Sequence, residues 1–269
     1  MTLPQVSAPV PPAGPESRAR KWLRAYDPPA APVARVYAFP YSGGGAATFR
    51  RWQESTRTLE ICAVALAGRE RRIGEPPARR LSEVVEPVGT LIAERESAAG
   101  RPVVLLGVSM GALLAHQVAL RLDDLGVPVR LLVTVGAPAP HLPLPSPVHQ
   151  LPESDLVDWL LSLGGMDPAV LEYPELLGHL LPAIRADLEL SNHRVRCDRT
   201  QMLDVPVLAS FGTEDPLCTA DEVARWDELT RRRTRVLPVP GGHFFSDTAV
   251  HHVMAELERE LLLPCTHRG

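Results

Sequence analysis

Cysteine is scarce and scattered in this chain. Cys62, Cys197, Cys218 and Cys265 lie far apart in 269 residues and form no CxxC pair, which argues against a disulfide framework or a zinc site and favours a reducing cytoplasm. Basic excess is missing too: 28 Lys and Arg against 32 Asp and Glu leave a formal charge of −4, unlike the strongly positive balance of general nucleic-acid binders. No run approaches the roughly 20 apolar residues that a membrane span requires. The first twenty residues, "MTLPQVSAPVPPAGPESRAR", have no apolar core of a secretory signal. No internal repeat or coiled-coil heptad is present, so a monomer is the simplest expectation. What remains, at 45% hydrophobic and 22% charged, is an ordinary soluble composition, and a chain of this length can bury about three quarters of its unfolded surface.

Pro, Ala and Ser dominate residues 1–30, which read as a flexible leader with a short helix near Arg18–Arg24. Apolar, strand-like tracts then alternate with helical patterns. The strands are expected at 34–40, 60–68, 102–107, 129–137, 205–212 and 234–241, with helices at 81–96 (Ser82 as N-cap), 111–126, 219–231 and at the C-terminus. Alternation of this kind implies an α/β protein: a mostly parallel sheet with helices on both faces, because parallel strands need crossover connections. Between Pro138 and Asp198 the strand signal stops and two helix-like stretches appear. The simplest organisation is a core of residues 31–137 and 199–263 carrying a helical insertion, 138–198.

Residues able to do nucleophilic chemistry stand where such a sheet would present them. Open parallel sheets place their sites at loops beyond the carboxyl ends of strands. "GVSMG" (107–111) follows one strand and opens a helix, the context in which a serine stands on a sharp turn flanked by small residues. Ser109 is therefore the candidate nucleophile, against the plainer reading of a packed turn, since GxSxG alone is short enough to arise by chance. A base is needed next. Among nine histidines, His243 in "PVPGGHFF" follows the last strand. His116 lies too far along the elbow helix, His141, His149, His179 and His193 belong to the insertion, His251 and His252 sit in the last helix, and His267 is in the tail. Asp215 in "GTEDPL" follows the strand 205–211 and is preferred over its neighbour Glu214 as the orienting acid. The chain order Ser…Asp…His is that of an α/β-hydrolase. Oxyanion donors are expected from the backbone N–H of Met110 and from the glycine-rich loop "FPYSGGGAATF" (39–49), with Ser42 and Gly43 both open as the second donor. That loop lacks the Lys of GxxxxGK[ST] and does not match GxGxxG, so it is not a nucleotide cradle.

Taken together, "AFPYSGGGAATF", "AGRERRIGEPP", "GVSMGALLAH", "GTEDPL" and "GGHFF" resemble the type II thioesterases that accompany modular polyketide and non-ribosomal peptide synthases. The resemblance runs from about residue 34 to 262. It implies an α/β-hydrolase fold, with Ser109 as nucleophile, Asp215 as orienting acid and His243 as base. It also implies that 138–198 is a lid over an acyl chamber. No cofactor of the enzyme itself is implied; the substrate brings a phosphopantetheine arm on an acyl or peptidyl carrier protein, and the reaction is removal of stalled or aberrant acyl groups. Two departures stand out: Val108 occupies a position where the family usually has His, and the Pro-rich leader lies outside the pattern. A carboxylesterase or lipase, and an acyltransferase or cyclase, are rival readings on the same fold, and a degenerate binding protein is a third. Arginine-rich stretches at 68–72, 78–80, 194–199 and 231–235 read first as solvated surface and second as a basic rim for an acidic carrier. Leu156, Trp159, Leu160 and Leu163 read first as helix core rather than as chamber wall.

Overall fold

A computed structural model describes residues 15–143, 147–193, 195 and 201–263. Seven strands form one sheet: β1 Leu23–Ala25, β2 Ala34–Phe39, β3 Leu59–Val64, β4 Val103–Val108, β5 Val129–Val135, β6 Val207–Gly212 and β7 Thr234–Val239. Their order across the sheet is β1-β3-β2-β4-β5-β6-β7, all parallel except β1, which runs antiparallel to β3. The helices are α1 Pro15–Trp22, α2 Arg50–Glu54, α3 Ser82–Ala99, α4 Met110–Asp124, α5 Glu153–Ser162, α6 Pro174–Ser191, α7 Ala220–Ala224 and α8 Asp247–Leu262.

The central strand β4, VVLLGV, reads as an unbroken apolar run because helices cover both faces. Alternation along β4 shows it: Leu105 packs with Tyr37, Ile92, Leu114 and Trp226 on one side. Val104 and Leu106 pack with Trp52, Val133, Val250 and Met254 on the other. The insertion carries its own small core, in which Leu156, Leu160, Leu181 and Leu188 come together from α5 and α6. Burying each leucine contributes about 1.5–3 kcal/mol, which holds α5 against α6.

Two corrections concern the start of the chain and one helix. The stretch 1–30, expected to be a flexible leader with a short helix near Arg18–Arg24, has that helix as α1 but also adds β1 to the sheet; Leu23 pairs with Val64 and Arg24 with Ala63. A three-residue edge strand is too short for periodicity to reveal. Residues 1–14 lie outside the described residues. Ser82 is the first residue of α3 rather than its cap; Leu81 occupies the capping position without a side-chain hydrogen bond. Within the insertion no strand is found among the described residues.

The sheet order fixes where a site can form. From β2 the chain moves to β3 on one side, whereas from β4 it moves to β5 on the other. The loops leaving β2 and β4 therefore diverge, and a crevice opens between them at the carboxyl edge. Phe39, the last residue of β2, is in register with Gly107 of β4. The glycine-rich loop and the GVSMG turn thus meet at this switch point.

Candidate active site

Ser109 has φ 52° and ψ −117°, a conformation that ordinary residues avoid. Its N–H donates to the Val135 carbonyl (2.7 Å), which locks the turn to β5. The flanking glycines have steric causes: a Cβ on Gly107 would sit 2.2 Å from the Gly111 carbonyl oxygen, and one on Gly111 would sit 2.0 Å from that of Phe39. Nothing larger fits, so α4 can start directly against β2 and β4. Val108, the departure noted above, is buried in the core on the α8 side.

Asp215 and His243 reach the same point from the turns after β6 and β7. The Ser109 Oγ to His243 Nε2 distance is 3.1 Å, and His243 Nδ1 lies 2.8 Å from Asp215 Oδ2. A carboxylate can only accept, so Nδ1 carries the proton, Nε2 presents its lone pair, and the Ser109 hydroxyl donates to it. The Asp215 carboxylate is fully buried and is held by two further donors, the Leu217 N–H to Oδ1 (2.8 Å) and the Cys218 thiol to Oδ2 (3.3 Å). Burial beside that carboxylate pushes the Cys218 thiol well above its ordinary range. The Phe244 ring stands edge-on to the imidazole, with centroids 5.2 Å apart. Glu214, the rival acid, is exposed and takes no part.

A cavity of about 300 Å³ opens on Ser109 and His243. Leu113 and Ala137 from the core, Trp159, Leu160 and Leu188 from the insertion, and Phe244 form much of its apolar wall. Leu156 and Leu160 are buried in the insertion's core, as expected, but Leu160 also faces the cavity together with Trp159 and Leu163. Pockets of this size and lining suit an acyl chain with few polar groups.

The glycine-rich loop is a built turn. Gly44 N–H donates to the Tyr41 carbonyl (2.9 Å), and Gly43 has φ +81°, the value the third residue of a type II turn requires. Since the Tyr41 carbonyl is taken inside the turn, the N–H of the same trans peptide, that of Ser42, faces the opposite way. Ser42 and Met110 both line the cavity beside Ser109. The Gly43 N–H is committed elsewhere: it donates to Asp187 Oδ2 of α6 (2.8 Å). Of the two loop donors left open, Gly43 is thereby removed, because a backbone N–H bound to a buried carboxylate is not free for an oxyanion.

Four further histidines stand apart from the relay. His251 bonds to the Asp247 carbonyl and His252 is half-exposed. His149 contacts Asn192, and His116 is fully buried under α4 beside Trp226. His267, Cys197 and Cys265 lie outside the described residues. Cys62 and Cys218 are both free and buried, and burial pushes the Cys62 thiol up to about 12. Among the described residues no group of His, Cys, Asp and Glu could hold a metal ion, and no helix is long and apolar enough to cross a membrane.

The arginine stretches divide sharply. Arg231–Arg235 precede and begin β7, at the edge of the sheet opposite the site, and cannot rim it. Arg79 and Arg80 are exposed and pair with Glu189 and Glu83. Most of the 194–199 stretch lies outside the described residues. Arg69 and Arg72 are buried, against the expectation of solvated surface. Arg69 forms a forked ion pair with Asp187, and Arg72 pairs with Glu75 while stacking over Trp22 at 3.9 Å.

A mostly parallel sheet with helices on both faces, a serine elbow after the fourth strand, and Asp and His after the sixth and seventh define an α/β-hydrolase. Within that class, the chain belongs to the thioesterase family: the thioesterase domain model matches residues 34–261. It is thus a serine hydrolase acting on thioesters. The gramicidin S biosynthesis protein GrsT of Aneurinibacillus migulanus is 31% identical over 252 residues, covering 92% of this chain and 96% of GrsT. RedJ, a thioesterase from the prodiginine biosynthetic pathway of Streptomyces coelicolor, is 33% identical. It superposes with a TM-score of 0.76 over 88% of this chain and 94% of its own. The type II thioesterase BorB from the borrelidin biosynthetic cluster is 29% identical, with a TM-score of 0.78 over 89% of this chain and 97% of its own.

Proposed function

We propose that this chain releases acyl groups from the phosphopantetheine arm of acyl or peptidyl carrier proteins in polyketide or non-ribosomal peptide biosynthesis, removing stalled or aberrant intermediates. The single observation that carries this reading is the Ser109–His243–Asp215 relay opening into an apolar cavity roofed by the helices of the insertion, which acts as a lid. The biosynthetic relatives supply the setting.

The chemistry follows from the distances. His243 Nε2 removes the Ser109 proton as Oγ attacks the thioester carbonyl. Asp215 keeps Nδ1 protonated and stabilises the imidazolium that forms. The tetrahedral oxyanion is met by the N–H groups of Met110 and Ser42, preorganised by the start of α4 and by the Tyr41–Gly44 turn. Collapse expels the thiolate of the arm, to which His243 returns the proton. The acyl chain now rests on Ser109 Oγ as an ester, with its tail among Leu113, Trp159 and Leu188. His243 then activates a water for attack on this ester, and a second collapse restores the serine and frees the acid. A thiolate leaves readily, so selectivity falls to the chamber and to carrier docking.

The test is a panel of acyl-loaded carrier proteins assayed with the parent chain and with Ser109→Ala. Release of acyl groups from the carrier, abolished by the substitution, is expected. Preference for matched oxygen esters without dependence on the carrier would overturn the carrier reading and leave an esterase.

A further inference from the structure

The GRE segment is a strong sequence signature with no place in the relay, and its structural role points beyond it. Arg69 sends Nη2 to Asp187 Oδ1 (2.9 Å) and Nη1 to Asp187 Oδ2, while Nη1 also reaches the Gly44 carbonyl (3.1 Å). Asp187 Oδ2 accepts the Gly43 N–H as well. Both side chains are almost wholly buried. Glu70, the next residue, accepts the N–H groups of Ala46 (3.1 Å) and Ala47 (2.8 Å), just past the turn. Packing closes the same junction: a Cβ on Gly43 would meet Ile184 of α6 at 2.8 Å. The Ser42–Gly43 and Gly44–Gly45 peptides are thus gripped from outside the loop, one by a carboxylate on the lid and one by an arginine that this carboxylate holds.

We infer that Arg69 and Asp187 are positioning residues that set the oxyanion donor, so that lid helix α6 completes the oxyanion hole. Neither touches the substrate. Asp187 fixes the Ser42–Gly43 peptide, Arg69 fixes the Gly44 carbonyl, and between them they fix the plane that aims the Ser42 N–H at the cavity. A rigid donor in a buried site acts on developing charge without reorganising, and losing one such donor slows turnover by about 10²–10³-fold. The pair therefore links the seat of the lid to the rate of the chemistry. This inference rests on the relay chemistry proposed above but not on the carrier as the substrate's source.

Removing one partner alone would leave a buried unpaired charge and confuse folding with positioning. Two double variants avoid this. Arg69→Met with Asp187→Asn removes both charges but keeps an oxygen to accept the Gly43 N–H; Arg69→Met with Asp187→Leu removes the acceptor as well. The readout is the rate constant for fluorophosphonate labelling of Ser109, whose phosphonyl oxygen occupies the hole. Labelling stoichiometry reports separately the folded fraction, so the rate constant is read per competent site even where folding is incomplete. The Leu variant is expected to label at least tenfold more slowly per site than the Asn variant. The pH dependence of the rate should be the same in both, since His243 and Asp215 are untouched. Equal rate constants in the two variants, or a difference confined to stoichiometry, would overturn the inference and reduce the pair to a structural brace. Parent chain that labels at Ser109 yet spares acyl-carrier thioesters would refute the carrier reading alone.

Discussion

Two buried arginine–carboxylate clusters sit at opposite ends of one sheet and hold different things. At the amino end, Arg35 of β2 pairs with Glu60 of β3 and with Glu96 of α3, while the Tyr37 hydroxyl donates to Glu96 Oε1 at 2.5 Å. Arg35, Tyr37, Glu60 and Glu96 all lie on β2, β3 or α3, so these pairs join regular elements of the core. At the carboxyl end, Arg69, in the turn after β3, pairs with Asp187 of α6, and both also hold backbone groups of the glycine-rich loop. The residue types are alike. What differs is the stiffness of the partner: ionic groups bolted to strands contribute to stability, whereas those holding a loop set the geometry of a site.

The comparison can be broken at either end. The largest effect is expected from Asp215→Asn, which keeps the shape of the site but disturbs the imidazole tautomer. Turnover should fall by about 10⁴-fold with little change in melting temperature, measured by steady-state kinetics and calorimetry. Glu96→Ala at the other end should do the reverse. Leaving Arg35 buried without this partner should cost about 3–5 kcal/mol of unfolding free energy, read by urea denaturation, while turnover per folded molecule stays at the parent level.

A smaller effect lies between the two ends, at His116. Complete burial, with a lesser push from His141, lowers its pKa from 6.5 to about 4. Below pH 6.5 the unfolded chain takes up a proton that the folded chain refuses. Stability should therefore fall as pH drops from about 6.5 towards 4, by about 2–3 kcal/mol from this one group. His116→Leu should flatten that part of a stability–pH curve; an unchanged slope would show that the imidazole is not held neutral. The smallest effect belongs to Cys218→Ala. Losing a weak thiol donor to Asp215 should lower kcat/KM by less than about tenfold, because the Leu217 N–H and His243 still hold the carboxylate.

How far each end could be read beforehand follows from the same contrast. Ser109, Asp215 and His243 were legible because each follows a strand whose apolar run is unmistakable, and their order along the chain restricts the fold. Asp187 was not: it lies in a helix of the insertion, in "PAIRADLELS", where nothing separates a buried acid from a solvated one. Its partner stood in a motif, but an arginine in "GRERR" has the composition of surface, and only the fold turns its head group inward. The uncertainty between Ser42 and Gly43 came from the same gap, since choosing between neighbouring amides requires knowing what else accepts from them. Burial of Arg72 was hidden for a related reason. Its partner Trp22 immediately precedes a strand of three residues that carries no periodic signal.

The central claim, that Ser109 is acylated by carrier-bound thioesters and then hydrolysed, is tested most directly by single-turnover mass spectrometry. The chain is mixed with one equivalent of acyl-loaded carrier protein and quenched over time. A transient acyl adduct on the peptide bearing Ser109 is expected, rising as the loaded carrier disappears and decaying as free acid accumulates, with Asp215→Asn slowing both phases. Release of free acid without any adduct on Ser109, undiminished in Ser109→Ala, would contradict the account.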